Sequence, residues 1–459
     1  MKPGRFRALL VVMVMTVVSV GGAKADDAAL EALKKQMEQL EQEMHDLRQK
    51  IKELEASKTG APPTVVQAPA VEPAPPTAQA AQPWSPSQPI TLFRSGAAYM
   101  NISFDALVNF GWSTEEHVHE VLELGDHDPN QRGFSLRNAE IALDGAVDPY
   151  FKGFANIVYK LDQNNETEVE LEEAYLLTTS LPWNLQAKAG QFFAAFGRQN
   201  ATHPHTWAFV DEPLVMQRIL GSEGLRNVGT QVSWLAPTPF YTELMLGVFN
   251  GEGSTASSFR DTDNTYGRTP VDRQLQDPGD MLYVPRITSS FDLSDTQTVV
   301  LGASAAFGPN DSGTNTRTQI YGADLYWKWR PVNAEQGFPF LAWQTEAMYR
   351  RYEAGSDPTA GLSADTLEDY GFYSQILYGF HPGWVAGLRG EYVGANFEKI
   401  DPLERGERTR ISPDLTWYLS EFSKLRLQYN YDHGQAFGNQ NSVWMQLEFL
   451  LGAHMAHTF

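Results

Sequence analysis

The sequence predicts an all-β fold, a transmembrane antiparallel β-barrel of about 16 strands. Short segments in which apolar and polar residues alternate recur from Ile90 to Phe459, and no helical period persists there. Short and long connections alternate between these segments, as they do at the two ends of outer-membrane barrels. Aromatic residues form 12% of the chain, although its mean hydropathy is only −0.36. This combination excludes a bundle of apolar membrane helices and fits strands with one apolar face.

The charge balance and the lack of cysteine exclude several classes of function. The chain has no cysteine, so disulfides, thiolate zinc sites and cysteine nucleophiles are ruled out. Its 56 acidic residues exceed its 35 basic residues and give a formal charge of −21. Binding to nucleic acid needs a basic face that displaces phosphate counterions, so we expect no nucleic-acid partner.

The N-terminal segment is typical of a secretory signal peptide covering residues 1–25. Basic residues precede an apolar run over 8–20, and the triplet Ala23-Lys24-Ala25 has the small-residue pattern of a cleavage site. The apolar run is shorter than the ~20 residues that a membrane-spanning helix needs. We therefore expect export and cleavage after Ala25.

Residues 26–56 carry a heptad pattern that predicts a short coiled-coil helix in the periplasm, before the barrel. Apolar residues recur at alternating spacings of three and four, which makes a stripe that needs a partner helix. The alternative is an amphipathic helix that lies on the barrel or on a membrane. Residues 57–90 are rich in proline and alanine and predict an extended linker. The heptad positions are Leu30, Leu33, Met37, Leu40, Met44, Leu47, Ile51 and Leu54.

Residues 91–459 are assigned to the barrel, whose last strand alternates most clearly and ends in Phe459. A terminal phenylalanine on such a strand is the usual signal for the bacterial barrel-assembly machinery, which we expect as a partner. A soluble sandwich or lectin-like barrel is the alternative, but it does not account for the signal peptide, the loop asymmetry and Phe459 together. Only a closed barrel pairs every backbone polar group of a sheet in hydrocarbon. We therefore expect a bacterial outer-membrane protein in contact with lipid and lipopolysaccharide.

The polar faces of the strands are expected to line the lumen of the barrel. Acidic and basic positions alternate between neighbouring strands, and opposite charges on adjacent strands pair. The simplest interpretation is a self-neutralising wall, and a lumen of mixed charge predicts no strong ion selectivity. The predicted wall residues are Glu140, Asp144, Lys152, Lys160, Glu168, Glu170, Glu172, Lys188, Arg389, Arg410 and Arg426.

Two segments and the terminal strand resemble the phosphate-selective porin O and P family. The segments are FSLRNAEIALDGAVDPYFKGFANIVY at 134–159 and LEEAYLLTTSLPWNLQAKAGQFFAAFGRQN at 171–200. The resemblance implies a 16-stranded trimeric barrel whose third long loop folds into the pore. It also implies uptake of anions driven by arginine and lysine. The acidic chain and the mixed lumen depart from that last expectation.

The third long loop, residues 195–226, is too apolar for a purely solvated loop. Long loops of this kind are usually packed or functional. Our hypothesis is that it folds inward and that its charged residues form a pore constriction. A latch at a subunit interface is an equally good interpretation. The predicted constriction residues are Arg198, His203, His205, Asp211, Glu212, Arg218 and Arg226.

The first long loop, residues 113–132, places His117, His119 and His127 among several carboxylates. Imidazole and carboxylate groups together suit zinc and other divalent ions, so these histidines are a candidate metal site. The alternatives are an acidic surface loop that binds the divalent ions bridging lipopolysaccharide, or a loop with no specific ligand.

The leading functional prediction is a passive porin with a water-filled channel for small hydrophilic solutes or ions. The sequence has no H-E-x-x-H, G-x-S-x-G or Walker motif, so we expect neither an enzyme nor a cofactor. A structural outer-membrane anchor is the alternative, in which the N-terminal helix and linker reach the peptidoglycan. A lesser alternative is a metal-linked uptake protein that uses the histidine-rich loop. We expect a homotrimer.

Overall fold

The structure is a computed structural model, and it describes residues 89–122, 124–162, 164–396 and 405–452. The predicted signal peptide, coiled-coil helix and linker lie outside the described residues, apart from the last two linker positions. Phe459 and the end of the predicted last strand also lie outside them.

Sixteen antiparallel strands, β2 to β17, form one closed barrel, which confirms the all-β barrel of the predicted fold class. The ring closes where β17 pairs with β2, from Leu451 opposite Phe104 to Ser442 opposite Ser113. A short additional strand, β1, pairs with the start of β2. The strands are β1 Ile90–Ser95, β2 Ala98–Ser113, β3 Gly133–Ala146, β4 Phe151–Leu161, β5 Thr167–Thr178, β6 Leu185–Phe193, β7 Arg226–Leu235, β8 Tyr241–Phe249, β9 Leu282–Ser294, β10 Gln297–Pro309, β11 Arg317–Trp329, β12 Phe340–Ala354, β13 Asp365–His381, β14 Trp384–Ala395, β15 Arg408–Ser420, β16 Ser423–Gly434 and β17 Gly438–Leu451.

Helical structure in the described residues is confined to the connections. Two α-helices lie wholly within the described residues, α1, Val118–Val121, and α2, Leu214–Leu220. Single 3₁₀ turns lie at Pro182–Asn184, Pro204–Thr206, Ser254–Ala256 and Pro278–Asp280. Among the described residues, we find no helix with both the length and the apolar character needed to cross a membrane.

Alternation along each strand separates an apolar outer wall from a polar inner wall. In β17, Val443, Met445, Leu447 and Phe449 are exposed on the outside, whereas Glu448 on the opposite face is buried. The same division runs around the barrel, because successive side chains of a strand point to opposite faces. The outer wall therefore offers an apolar surface to lipid, and the inner wall carries the charged groups.

The predicted asymmetry of the connections is also present. At one end of the barrel the strands are joined by short turns, such as those at 295–296, 382–383 and 421–422. At the other end most connections are longer, apart from the three-residue turn at 435–437, and the longest two span 194–225 and 250–281. The long connections supply enough chain to fill the space that the strands enclose.

Candidate functional site

The connection between β6 and β7, residues 194–225, folds into the barrel, and we call it the crossing loop. Its neck is closed by Ala194 N–H, which donates to the carbonyl of Leu225 at 2.9 Å. The side-chain amide of Asn200 donates to both carbonyls, of Ala194 and Leu225, at 2.9 Å, and its oxygen accepts from Leu225 N–H at 2.8 Å. These bonds satisfy the backbone where the loop leaves the sheet, so the loop starts from a fixed position.

The crossing loop first reaches the wall formed by β10 to β12. Gly197 N–H donates to Ser304 Oγ at 3.1 Å, and Arg198 and Gln199 N–H donate to the two oxygens of Glu346 at 2.9 and 2.8 Å. Gly197 has a φ of 63°, and a Cβ at this position would lie 2.1 Å from Glu346 Oε2. Only glycine allows this approach, since other residues disfavour positive φ and would clash with the carboxylate.

The loop then returns to the wall formed by β2 to β5. His203 Nδ1 lies 2.9 Å from Glu172 Oε2, and its Nε2 lies 3.0 Å from Glu173 Oε2. His205 Nδ1 lies 3.4 Å from Asp105 Oδ2. Burial alone lowers the pKa of His203, but the charge of Glu172 and its hydrogen bond raise that pKa well above its usual value. A charged His203 therefore pairs with the inner wall.

The third wall that the loop contacts is formed by β14 to β16. Arg426 donates to the carbonyl oxygens of Trp207 at 2.7 Å and Phe209 at 3.0 Å. Asp211 accepts from Arg389, from Arg410 at 3.0 Å, and from the amides of Gln428 and Asn430 at 2.8 Å each. Burial alone raises the pKa of Asp211, but these two guanidinium groups lower it to about 2.

Helix α2 completes the crossing. All seven of its side chains are buried, and it contacts β12, β13 and β14. Leu214 N–H donates to Glu391 Oε2 at 2.7 Å, and Ser258 Oγ, from the next long loop, donates to the carbonyl of Ile219. At the loop exit, Arg226 pairs with Glu170 and Glu223. The crossing loop is thus anchored to walls on several sides of the lumen.

The seven predicted constriction residues all lie in or beside this inward loop. Arg198 alone of the seven keeps partial exposure, whereas His203, His205, Asp211, Glu212, Arg218 and Arg226 are buried. These six residues help to anchor the loop, and their role in a pore constriction stays a prediction. They are buried because the loop packs against the inner wall, where charged groups are stabilised by oppositely charged or polar partners.

Most predicted wall residues are likewise buried in pairs. Lys160 pairs with Glu170 at 3.1 Å across β4 and β5, as the self-neutralising interpretation expects. Other partners come from the loops, including Asp126 for Lys160. Glu140, Lys160, Glu172, Arg389, Arg410 and Arg426 are buried, Asp144, Glu170 and Lys188 are partly exposed, and Lys152 and Glu168 are exposed.

The three histidines of the predicted metal site do not form one ligand set. His117 and His119 are exposed in or beside α1, whereas His127 is mostly buried and lies 3.3 Å from Glu172. Burial alone lowers the pKa of His127, but its hydrogen bond with Glu172 raises that pKa to about 9. Among the described residues, the convergent groups of three or more possible ligands contain His203 or His205 and none of these three. The predicted ligand set is therefore corrected.

Sequence reasoning missed which cations remain without a carboxylate partner. Within the described part of the chain, Lys188, Arg198 and Lys328 are partly exposed and form no ion pair. Each lies against an aromatic ring instead: Lys188 Nζ is 4.0 Å from the ring centre of Tyr175, and Arg198 Cζ is 4.1 Å from that of Tyr326. Their residue types are visible in the sequence, but their lack of partners depends on long-range contacts.

Comparison with solved structures defines the class, an outer-membrane-type barrel. The outer-membrane channel DcaP of Acinetobacter baumannii is 12% identical, with a TM-score of 0.52, covering 78% of this chain and 99% of that one. OprB of Pseudomonas putida is 10% identical, with a TM-score of 0.46, covering 77% and 94% of the two chains. The likeness to DcaP shows a shared barrel fold.

Sequence comparison places the chain in a family. It is 34% identical over 366 residues to an uncharacterised protein of Aquifex aeolicus (strain VF5), covering 74% of this chain and 72% of that protein. The chain therefore belongs to the same family as this Aquifex protein. No family model matches the chain, and membership of the phosphate-selective porin O and P family stays a prediction.

Proposed function

We propose that this protein is a passive outer-membrane channel that passes small hydrophilic solutes beside the crossing loop and prefers anions. The observation that carries the proposal is a closed barrel of 16 strands with a charged inner wall and a long loop held across its lumen. A charged inner wall holds water, and an inward loop sets the width of the path.

The exposure of inner-wall residues indicates where the path runs. On β14 to β17 and β2, inner positions such as Arg389, Gln428, Glu448 and Asp105 are buried beneath loops. On β6, β7, β11 and β12, several inner positions keep partial exposure. These positions are Lys188, Gln231, Tyr326, Lys328 and Gln344. The path therefore follows these partly exposed strands, away from the β14 to β16 wall to which Asp211 is bound.

The charges along this path favour anions. Lys188, Arg198 and Lys328 form no ion pair within the described residues, as stated above. Of the inner-wall carboxylates nearby, Asp324 pairs with Arg286 at 2.6 Å, whereas Glu243, which accepts a hydrogen bond from Tyr241, keeps its charge and offsets one of the three cations. Fixed cations raise the local concentration of anions and lower that of cations in a narrow, low-dielectric passage. The acidic composition of the whole chain thus does not decide the selectivity of the path.

Neutralising the three cations tests the preference. We expect the triple variant Lys188→Gln, Arg198→Gln and Lys328→Gln to have a reversal potential closer to zero than the anion-selective value of the unchanged protein. The reversal potential is measured across a planar bilayer in a KCl gradient. Arg351→Gln is the matched control, since Arg351 alternates with the inner-wall residues of β12 and pairs with Glu353 at 2.6 Å. A cation-side reversal potential for the unchanged protein would refute the proposed preference.

The homotrimer remains a proposal, and one feature of the outer wall supports it. An apolar groove crosses the outside of β3 to β6 and is lined by small residues, including Gly153, Ala155, Ala174 and Ala189. Filling it with Ala155→Trp and Ala189→Trp is expected to reduce the oligomer to monomer in mild detergent, as measured by light scattering. Ala303→Trp, on the exposed outer face of β10, is the control and should leave the mass unchanged. An unchanged mass for the double variant would remove this surface as the interface.

A structural anchor is the second candidate function. It rests on the predicted helix and linker, and it does not exclude conduction. Peptidoglycan is a proposed partner because of this helix and linker, whereas the barrel-assembly machinery is proposed from Phe459 and lipopolysaccharide from the outer-membrane barrel. Metal-linked uptake through the first long loop loses its support, since His117 and His119 lie apart from His127.

A further inference from the structure

Two histidines and four carboxylates form a buried group where the crossing loop meets β2, β3 and β5. The histidines come from the loop, and the carboxylates come from the three strands, so the group exists only when the loop is inside the barrel. All six residues are at most 6% exposed. We call it the histidine–carboxylate cluster: Asp105, Glu140, Glu172, Glu173, His203 and His205.

Possible ligand atoms in the cluster converge on two adjoining points. Glu140, Glu172 and His203 each offer one atom within 4.8 Å of the others, and so do Asp105, Glu140 and His205. Glu140 Oε2 is shared, at 3.7 Å from His203 Nδ1 and 3.6 Å from His205 Nδ1. The two imidazole rings stack with their centres 5.8 Å apart. Convergence of this kind is the geometry that a bound cation requires.

The orientation of His203 has the pattern of a metal-bound histidine. Its Nε2 lies 3.0 Å from Glu173, so Nε2–H can donate to that carboxylate. Its Nδ1 then turns toward Glu172, at 2.9 Å, and Glu140. An Nδ1 lone pair that faces carboxylate oxygens is repulsive unless a proton lies between them, as in the charged His203 described above, or a metal ion takes the place of that proton. A second carboxylate that fixes the far nitrogen is typical of metal sites.

Two buried asparagines give a second, independent observation. Asn156 Nδ2 donates to Glu140 at 3.0 Å and to Glu172 at 2.7 Å, and Asn138 Nδ2 donates to Asp105 at 3.2 Å and to Glu140 at 2.9 Å. Asn156 Nδ2 also lies 3.2 Å from His203 Nδ1, so it is placed beside both carboxylates and the imidazole, and Asn138 is oriented by two carboxylates. The Oδ1 atoms of both residues are buried and have no hydrogen-bond partner among the described residues. A buried carbonyl oxygen without a donor is costly. If either amide turns by 180°, its Oδ1 replaces Nδ2 beside the carboxylates and can ligate a cation bound there.

We propose that the histidine–carboxylate cluster binds a divalent transition-metal ion through Glu140, Glu172 and His203, with Asp105 and His205 beside it and Glu173 as a positioning residue. Mixed nitrogen and oxygen donors suit first-row transition metals, whereas calcium and magnesium favour oxygen alone. The ion would cross-link the crossing loop to β3 and β5. Binding of metal is independent of conduction, so this proposal and the channel proposal fail separately.

The test uses Zn²⁺ and the full chain, purified from outer membranes in detergent and stripped with a chelator. We expect calorimetry to show a zinc site in the unchanged protein, and elemental analysis to show retained zinc after dialysis. Binding should be lost in Glu172→Gln and in His203→Gln. Glu173→Gln should weaken it by about 10–100-fold, the usual effect of removing a group that orients a metal-bound histidine.

Controls separate this site from the exposed histidines and from misfolding. His117→Gln with His119→Gln should leave zinc binding unchanged. Circular dichroism identifies variants that fail to fold, and the absorption spectrum of Co²⁺ added to the unchanged protein reports nitrogen and oxygen ligation without any mutation. No zinc binding by the unchanged protein, zinc binding that survives in folded Glu172→Gln and His203→Gln, or binding of Ca²⁺ in preference to Zn²⁺ would overturn the proposal.

Discussion

Replacing residues 201–221 with a short glycine–serine linker is expected to raise the single-channel conductance several-fold. This change removes the part of the crossing loop that spans the lumen, including α2 and the histidines, and keeps the neck bonds of Asn200 with Ala194 and Leu225. The inner wall of β14 to β16 then faces water, so the conducting cross-section widens. Recording single channels in a planar bilayer at one salt concentration measures the effect.

The matched control shortens a loop that does not cross the lumen. Residues 358–361, at the tip of the connection between β12 and β13, are exposed. Their removal should leave the conductance unchanged. Equal conductance for the crossing-loop variant and the unchanged protein, with both folded by circular dichroism, would show that the loop does not limit the path.

The Asp211→Asn variant is expected to lose about 3–5 kcal/mol of unfolding free energy, the usual cost of breaking a buried ion pair from one side. Asp211 accepts hydrogen bonds from two buried guanidinium groups and two side-chain amides. An asparagine of the same shape places an NH₂ group against these donors and leaves Arg389 and Arg410 without its charge. Urea unfolding in detergent or lipid, followed by tryptophan fluorescence, measures the shift.

Asp263→Asn provides the comparison for this variant. Asp263 is exposed in the loop between β8 and β9, and removing its charge should change the unfolding midpoint little. The Asp211→Asn variant should also show a higher single-channel conductance or larger fluctuations of the open-channel current, because the loop loses its attachment to β14 and β15. An unfolding midpoint equal to that of the unchanged protein would contradict the assigned role of Asp211.

The strands and their inward faces could be predicted from local sequence. The alternation around Leu447 and Glu448 sets which side chain faces lipid and which faces the lumen, because side chains of a strand alternate with a period of two. The positions of short turns and long loops likewise follow from where the alternation stops. These features depend on neighbours in the chain, which a single sequence displays.

Whether each lumen residue is buried in an ion pair or left exposed could not be predicted, because this depends on partners far away in the chain. Asp211 meets Arg389, and His203 meets Glu172, only once the barrel has closed and the loop has entered it. The sequence marks Arg389 and Lys188 as equivalent basic wall residues, yet the first is buried in pairs and the second lies against Tyr175 without a carboxylate partner among the described residues. The spacing of His117, His119 and His127 predicted one shared metal site, but the position of His127 also depends on a distant partner. Its side chain turns inward to Glu172.

The most direct test of the account is the current carried by the unchanged protein in a planar bilayer with a KCl gradient. We predict a steady open conductance that is smaller than that of the crossing-loop variant, with a reversal potential on the anion side. A folded barrel that carries no current in the unchanged protein, while the crossing-loop variant conducts, would contradict passive conduction and favour the anchor.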